Sequence, residues 1–381
     1  MDRAAWLVNF SGFGNQLAVS MAHFLTPLYA LGLGASPIVV GVIASASSVA
    51  GMVIALPAGK TIDHLGPKKA VTYATVCKTL SILIYLVTSA PLALILPTFL
   101  IGIFGTVAIL SFHSYVSGLS HGIRRAKGIS DFAFFSSLGE LAGPVVAGGL
   151  VDLVSFKAAF GYTALICIST LISLWYLPAV SENRRTEEDS TPLRGFRGLL
   201  IHRGVQAVLM GSSSFAMLRS FLRAFLPVLL YNTFSATEIG SLFFITTVAS
   251  LLGRSAVRWT AKLWPMQKVL PICVLLNALP LILIPAATLG YSPLAALMAL
   301  FGISNGFLGV VTAVQTADTV AAQERGLAFG MRTTSMRFGS MVGQLGFGTL
   351  AEITSVGLSF FGAGVFGIVC AILLPRFMRR E

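Results

Sequence analysis

The sequence predicts an all-α membrane protein, twelve helices arranged as two pseudo-symmetric six-helix bundles. Three observations carry that expectation. Of 381 residues, 55% are hydrophobic and only 10% charged, with a mean hydropathy of +0.85; a soluble domain carries about 25% charge. Apolar runs of membrane-spanning length recur along the whole chain. The second half also repeats features of the first two hundred residues on. A soluble fold could not cover this much apolar surface with so little charge, so the chain is read as integral to a bilayer.

A hydrocarbon core of about 30 Å takes roughly 20 apolar residues per helix. Runs of that size lie at 6–31, 37–58, 70–89, 92–118, 131–151 and 157–178, then at 205–231, 238–257, 269–288, 293–318, 327–350 and 354–375. The first is too long for a signal-peptide core and is read as a helix. Between the sixth and seventh runs, 181–204 is polar and holds Arg184, Arg185, Glu187, Glu188, Asp189, Arg194 and Arg197. It divides the chain into bundles at 1–180 and 205–381. Within it, Arg194, Phe196, Leu199 and Leu200 suit either a short interfacial helix or a plain tether.

The net charge of +12 does not point to nucleic acid, because the basic residues sit in short loops between apolar runs. Lys78, Arg219, Arg223, Arg254, Arg332 and Arg337 fall within spans, and Lys157 alone lies on the odd-numbered connections. The rest of the 26 Lys and Arg occupy the even-numbered connections, the linker and the termini. By the positive-inside rule both termini are cytoplasmic. The expectation is a multi-pass protein of the cell membrane, working as a monomer in the lipid bilayer. Cys77, Cys167, Cys273 and Cys370 all sit in apolar runs without a Cys–His cluster. They read as small buried hydrophobes, so no disulfide, metal or cofactor is expected.

The repeat is specific. Arg125, Gly139, Gly143, Gly148 and Leu150 recur as Arg325, Gly339, Gly343, Gly348 and Leu350. Leu100-Ile101-Gly102-Ile103 matches Leu300-Phe301-Gly302-Ile303, and Asp152 has an acidic counterpart in Glu352. Two like-oriented six-helix halves are the parallel-repeat plan of secondary transporters.

The first dense charge cluster is Gly59-Lys60-Thr61-Ile62-Asp63-His64-Leu65-Gly66-Pro67-Lys68-Lys69, between the second and third runs. With twelve helices and a central linker around it, this stretch resembles the G-x-x-x-D-[RK]-x-G-x-[RK]-[RK] loop of the major facilitator superfamily. Gly59, Asp63, Gly66, Lys68 and Lys69 match, and His64 replaces the usual Arg or Lys. The resemblance covers essentially the whole chain. It implies that Asp63 engages the cytoplasmic end of helix 11, with Arg332 as the preferred partner, and holds one side closed. On physical grounds Gly59 would allow close helix approach and Gly66 a tight turn. Lys68 and Lys69 either serve topology alone or join the gate. In the second-half counterpart, 257–265, Ala261 stands for Asp63 and Trp264 for Gly66, so the clasp is expected on one side only.

Helix 5 carries Gly139, Gly143, Pro144 and Gly148, with Ala147 between. This resembles the family's G-x-x-x-G-P-x-x-G-G antiporter signature; the plainer reading is close glycine packing with a bend. Helix 4 has Thr98 near a position where the family often has an Arg linked to proton transfer, which puts coupling by the usual residues in question.

Ionisable groups inside a span are costly and point to function. Arg219 and Arg223, four apart on helix 7, share a face; they contact an anionic solute, pair with Glu140, or snorkel. Glu140 is the candidate coupling carboxylate if protons drive transport. Asn15 and His23 on helix 1, and Asn305 and Gln315 on helix 10 beside Thr312, complete the candidate cavity. Lys78 is expected to snorkel to the cytoplasmic surface. Asp318 is expected to join the gate with Arg325 or Arg332.

No G-x-x-x-x-G-K-[ST] loop is present, so ATP is not the direct drive. A membrane enzyme would need clustered His, Asp or Ser at a membrane face, which neither His64 nor His121 offers. The resemblance therefore implies a secondary transporter for a small organic solute, anionic or neutral, and not an enzyme. Efflux or antiport of a drug-like or metabolic compound comes first, and uptake of an organic anion second.

Overall fold

The computed structural model describes residues 3–119, 122–178, 203–263, 266–320 and 324–378. Among these the chain forms long α-helices and two short 3-10 turns, Pro91–Leu94 and Ile284–Ala287. In chain order the helices are α1 (Arg3–Gly32), α2 (Pro37–Leu65), α3 (Pro67–Val87), α4 (Ile95–Gly118), α5 (Gly122–Leu153) and α6 (Phe156–Trp175). The second set is α7 (Arg203–Leu230), α8 (Ala236–Leu263), α9 (Met266–Leu283), α10 (Tyr291–Thr319), α11 (Arg325–Ile353) and α12 (Val356–Met378).

Every predicted span becomes one helix. Ten are long and apolar enough to cross a membrane by length and composition, α1 and α11 falling short. Those two carry Asn9, Asn15, Gln16 and His23, and Arg332, Arg337 and Gln344, respectively. Several helices outrun their apolar runs. α2 continues through Gly59 to Leu65, and α5 begins at Gly122, nine residues before the hydrophobic stretch. Apolarity marks the lipid-immersed part of a helix, while the backbone ladder continues into polar sequence. The linker 181–204 falls outside the described residues apart from its last two positions, as do Trp264 and Pro265 of the 257–265 counterpart.

The described residues pack as two compact units. Unit 1 takes in Met1–Ala35, Ala46–Thr186 and Phe234–Phe244; unit 2 takes in Ser36–Ser45, Glu187–Thr233 and Ile245–Glu381. Relative to a division at 1–180 and 205–381, each unit holds the opening turns of one helix from the other half. In unit 1, α1 packs on α5 and α6, and α3 on α4 and α6. In unit 2, α7 packs on α11 and α12, and α9 on α10 and α12. The pattern is the same shifted by six helices, and Pro27 of α1 recurs as Pro227 of α7.

Hydroxyls on these helices mostly return to the carbonyl four residues back, as with Thr75 to Val71 (2.7 Å), Thr106 to Gly102 (2.8 Å) and Thr316 to Thr312 (2.7 Å). That habit satisfies a polar atom where no water reaches. Outward faces stay apolar: Leu80, Leu165, Ile172 and Leu252 are all more than half exposed. Trp6, Tyr73, Trp175 and Tyr176 stand exposed at the start of α1, the start of α3 and the end of α6, which suits one interfacial aromatic belt.

Candidate functional site

The 59–69 stretch is a helix end, not a loop. α2 runs to Leu65, Gly66 turns the chain at φ 79°, and Pro67 opens α3. That left-handed φ is costly for a residue with a Cβ, so Gly66 makes the tight turn its spacing predicts. Gly59 is different: a Cβ built on it meets nothing within 4 Å, and the expectation of close helix approach there is corrected. Asp63, His64 and Lys69 are exposed. Lys68 has a job that its spacing did not reveal. Its ammonium donates to the carbonyls of Trp175 (3.3 Å) and Leu177 at the end of α6. A cation there satisfies orphan carbonyls and complements the helix dipole. Tyr115 of α4 ties the same end by donating to Pro178 O at 2.8 Å.

The acidic repeat proves to be a repeated cap. Within unit 1 the Asp152 carboxylate, at the end of α5, accepts from the backbone N–H of Ala236 (3.1 Å) and Thr237 (2.7 Å) and from the Thr237 hydroxyl (2.6 Å). Ser235 and Glu238 add a reciprocal capping box to this start of α8. Within unit 2, Glu352 at the end of α11 accepts from the N–H of Ile38 in the first turn of α2, at 3.1 Å. The Ser-x-x-Glu spacing at 235–238 is the one signal that could have found the box, and nothing local signals the long-range caps. Loss of the cap predicts that Asp152→Ala lowers stability by about 1–2 kcal/mol and Glu352→Ala by roughly half that. Thermal unfolding in detergent, read by reaction of the buried Cys167, Cys273 and Cys370 with a thiol dye, checks both.

The glycine stripes serve the same contacts. Gly139 and Gly143 of α5 press on α1 at Phe13, Leu17 and Ser20, and Gly148 presses on Ala236 of α8. In α11, Gly339 and Gly343 press on α7 at Ser213 and Met217, and Gly348 lies against Gly41 of α2. Pro144 abuts Gly240. The stripe thus works as a packing device in both repeats, and only Pro144 is peculiar to α5.

Among the intramembrane groups of unit 1, two expectations are corrected together. Lys78 does not snorkel; it is 0% exposed, and its ammonium donates to Asn15 Oδ1. Asn15, itself 1% exposed, is therefore an internal partner rather than a cavity wall. The sequence separation of 63 residues and the unknown rotation of α1 and α3 about their axes hid this pair. Thr98 is spent in a hydroxyl chain, 2.8 Å from Tyr85 Oη, which lies 3.1 Å from Thr26. His23 and Glu140 are half-buried, and Ser20 donates to the Glu140 carbonyl at 3.0 Å.

In unit 2, Arg219 and Arg223 are half-buried on α7. Between them Ser220 reaches the carbonyl of Ser340 on α11 at 3.2 Å. Arg332 turns to α10, where its terminal nitrogen donates to Gly309 O (3.2 Å) and Thr312 Oγ1 (2.9 Å). Arg325 donates to Ala317 O at 3.2 Å, and Asp318 beside it is exposed. Among the described residues neither arginine donates to Asp318. Asn305 and Gln315 are 6% and 4% exposed on the face of α10 that receives Arg332. The structure thus brings Arg332 of the expected gate onto Gly309 and Thr312 of α10, with Asn305 one helical turn further along the same face. Among the described residues no group of three or more His, Cys, Asp or Glu is placed to hold a metal.

The sequence profile of the Major Facilitator Superfamily matches residues 8–229 and 208–381. The chain belongs to that superfamily. It is a multi-pass membrane transporter of small solutes, and members of this superfamily are not enzymes. This MFS transporter is 23% identical over 380 residues to the uncharacterized MFS-type transporter MJ1560 of Methanocaldococcus jannaschii, covering 98% of this chain and 97% of the relative. It is 24% identical over 253 residues to the uncharacterized MFS-type transporter y4rN of Sinorhizobium fredii, covering 63% and 62%. Its fold matches the crystal structure of the nucleoside transporter NupG with a TM-score of 0.81 at 14% identity, over the full length of both chains. It also matches a bacterial homologue of the human lysosomal transporter Spinster, solved inward-facing and occupied, with a TM-score of 0.79 at 10% identity over 99% and 96%.

Proposed function

We propose that this MFS transporter is a secondary active transporter that exports or exchanges a small organic solute by alternating access. The observation that carries the reading is the twofold cap: Asp152 holds the start of α8, and Glu352 the start of α2. Repeats that perform the same mechanical task at equivalent helix ends suit a machine whose halves move as counterparts. In this reading both termini are cytoplasmic in the cell membrane, which the placement of Lys and Arg supports. The Asp63 stretch gates the cytoplasmic side. Glu140 takes up and releases the coupling proton, or a counter-solute does that work. The chain acts as a monomer. Export comes first because Pro144 keeps the helix 5 signature distinct from its copy in α11. Uptake of an organic anion is the second reading, favoured by cations on α7 and α11.

Counterflow in proteoliposomes loaded in turn with organic anions, organic cations and neutral solutes, nucleosides among them, tests the reading. Exchange of one class, with an imposed pH gradient driving net movement, is the expected result. Glu140→Gln should keep exchange and lose the pH-driven component at least tenfold. No exchange of any class would refute the transporter mechanism proposed here, and full pH drive in Glu140→Gln would remove that residue from coupling.

A further inference from the structure

Unit 2 holds a cation whose surroundings call for an anion. Asn305, Gly309 and Thr312 fall at i, i+4 and i+7 of α10, on one face. Arg332 of α11 lays its guanidinium on that face and commits one terminal nitrogen to Gly309 O and Thr312 Oγ1. A Cβ on Gly309 would approach only Phe215, at 3.7 Å, so the helix surface beneath the guanidinium is low. The Thr312 hydroxyl proton is already used on Leu308 O at 2.8 Å, which leaves its oxygen to accept from Arg332.

What remains on α10 and α11 is two solvent-excluded donors against one acceptor, Gln315 Oε1. Arg332 Nε is shut away from solvent with no acceptor, and so is the amide nitrogen of Asn305, a residue 6% exposed. Among the described residues no carboxylate pairs with Arg332. An uncompensated guanidinium inside a membrane protein costs several kcal/mol unless a counter-charge and hydrogen bonds arrive with it. Planar Arg donors match the two oxygens of a carboxylate or phosphate. A second unpartnered donor on the same helix face extends that match beyond a single atom.

We propose that Arg332 and Asn305 form an oxyanion subsite in unit 2 that takes the carboxylate or phosphate group of the transported solute. This rests on the transporter reading above and assigns its substrate class. It also moves Arg332 from the gate to the cargo. The two roles separate kinetically, because a gate residue changes turnover at unchanged affinity, whereas a solute ligand changes affinity.

The test uses the full chain in nanodiscs and proteoliposomes. Melting temperature and counterflow are measured with succinate, benzoate and glycerol 3-phosphate, with uncharged amide or alcohol analogues of each, with organic cations, and with inorganic phosphate alone. The expected result is that an organic anion both raises the melting temperature and exchanges. Arg332→Gln then weakens its apparent affinity at least tenfold and Asn305→Ala several-fold, while Arg332→Lys recovers part of the loss. Where Arg332→Gln fails to fold, Arg332→Lys and Asn305→Ala carry the comparison. Exchange of neutral or cationic solutes alone overturns the subsite and leaves the transporter reading standing. Slower turnover at unchanged affinity in the Arg332 variants overturns it in favour of the gate. If phosphate shifts melting but no organic anion exchanges, the site holds a static ion or lipid headgroup, and the assignment to cargo falls.

Discussion

Asn15→Leu is expected to destabilise the protein by about 3 kcal/mol, the cost of leaving a buried lysine donor without its amide acceptor. Lys78 is 0% exposed, and its ammonium donates to Asn15 Oδ1. Leucine fills a similar volume but removes the acceptor, so the ammonium must shed its proton, admit water or pull α3 away from α1. The reverse change behaves differently. Lys78→Met removes the charge together with its need for a partner, leaving a neutral amide; it is expected to cost less than about 2 kcal/mol. The double variant should sit close to Lys78→Met, which a double-mutant cycle of thiol-reported melting would measure as strong coupling. If Asn15→Leu melts like the parent, Lys78 is not held by Asn15, and the corrected placement of both residues fails.

The second large effect is expected at the α8–α10 contact. A Cβ on Gly306 would overlap the Ser250 carbonyl oxygen, one on Gly302 the Thr246 carbonyl, and one on Gly253 the Ile303 carbonyl. These are backbone atoms and cannot rotate aside. The helices would have to separate, losing the packing that drives association where lipid is as apolar as the side chains. Gly306→Val should cost about 3 kcal/mol or more, at the upper end for overpacking, and should lower the yield of folded protein. Gly105→Ala on α4 is the control, because nothing lies within 4 Å of its Cβ. There the better helix propensity of alanine should give about 0.5–1 kcal/mol. Equal melting of the two variants would contradict the contact.

The same contact explains one piece of the repeat. A Cβ on Gly302 would run into Thr246 of α8, and one on Gly102 would lie 2.6 Å from the Ser47 carbonyl oxygen of α2. Leu-Ile-Gly-Ile at 100–103 and Leu-Phe-Gly-Ile at 300–303 are thus matching close-approach points. The sequence displayed the repetition; the carbonyl opposite each glycine gives the reason for it.

The sequence by itself determined the twelve helices, their repeat and the turn at Gly66. These depend on summed apolarity over a turn or more of helix, or on the φ of a single residue, and both are local properties. Membership of the superfamily was legible for the same reason, since the 59–69 spacing lies on contiguous chain. What only the tertiary structure decided is which polar group meets which. Lys78 found Asn15 rather than the membrane surface, Lys68 found the end of α6, Asp152 found the start of α8, and Arg332 lay down on α10. Each outcome turns on the rotation of one helix about its axis relative to a distant neighbour. In a span that is apolar almost all round, composition leaves that rotation undetermined. It is set by glycines that meet a facing backbone, as at Gly139 and Gly306, and by buried polar atoms that must find a partner where no water can serve.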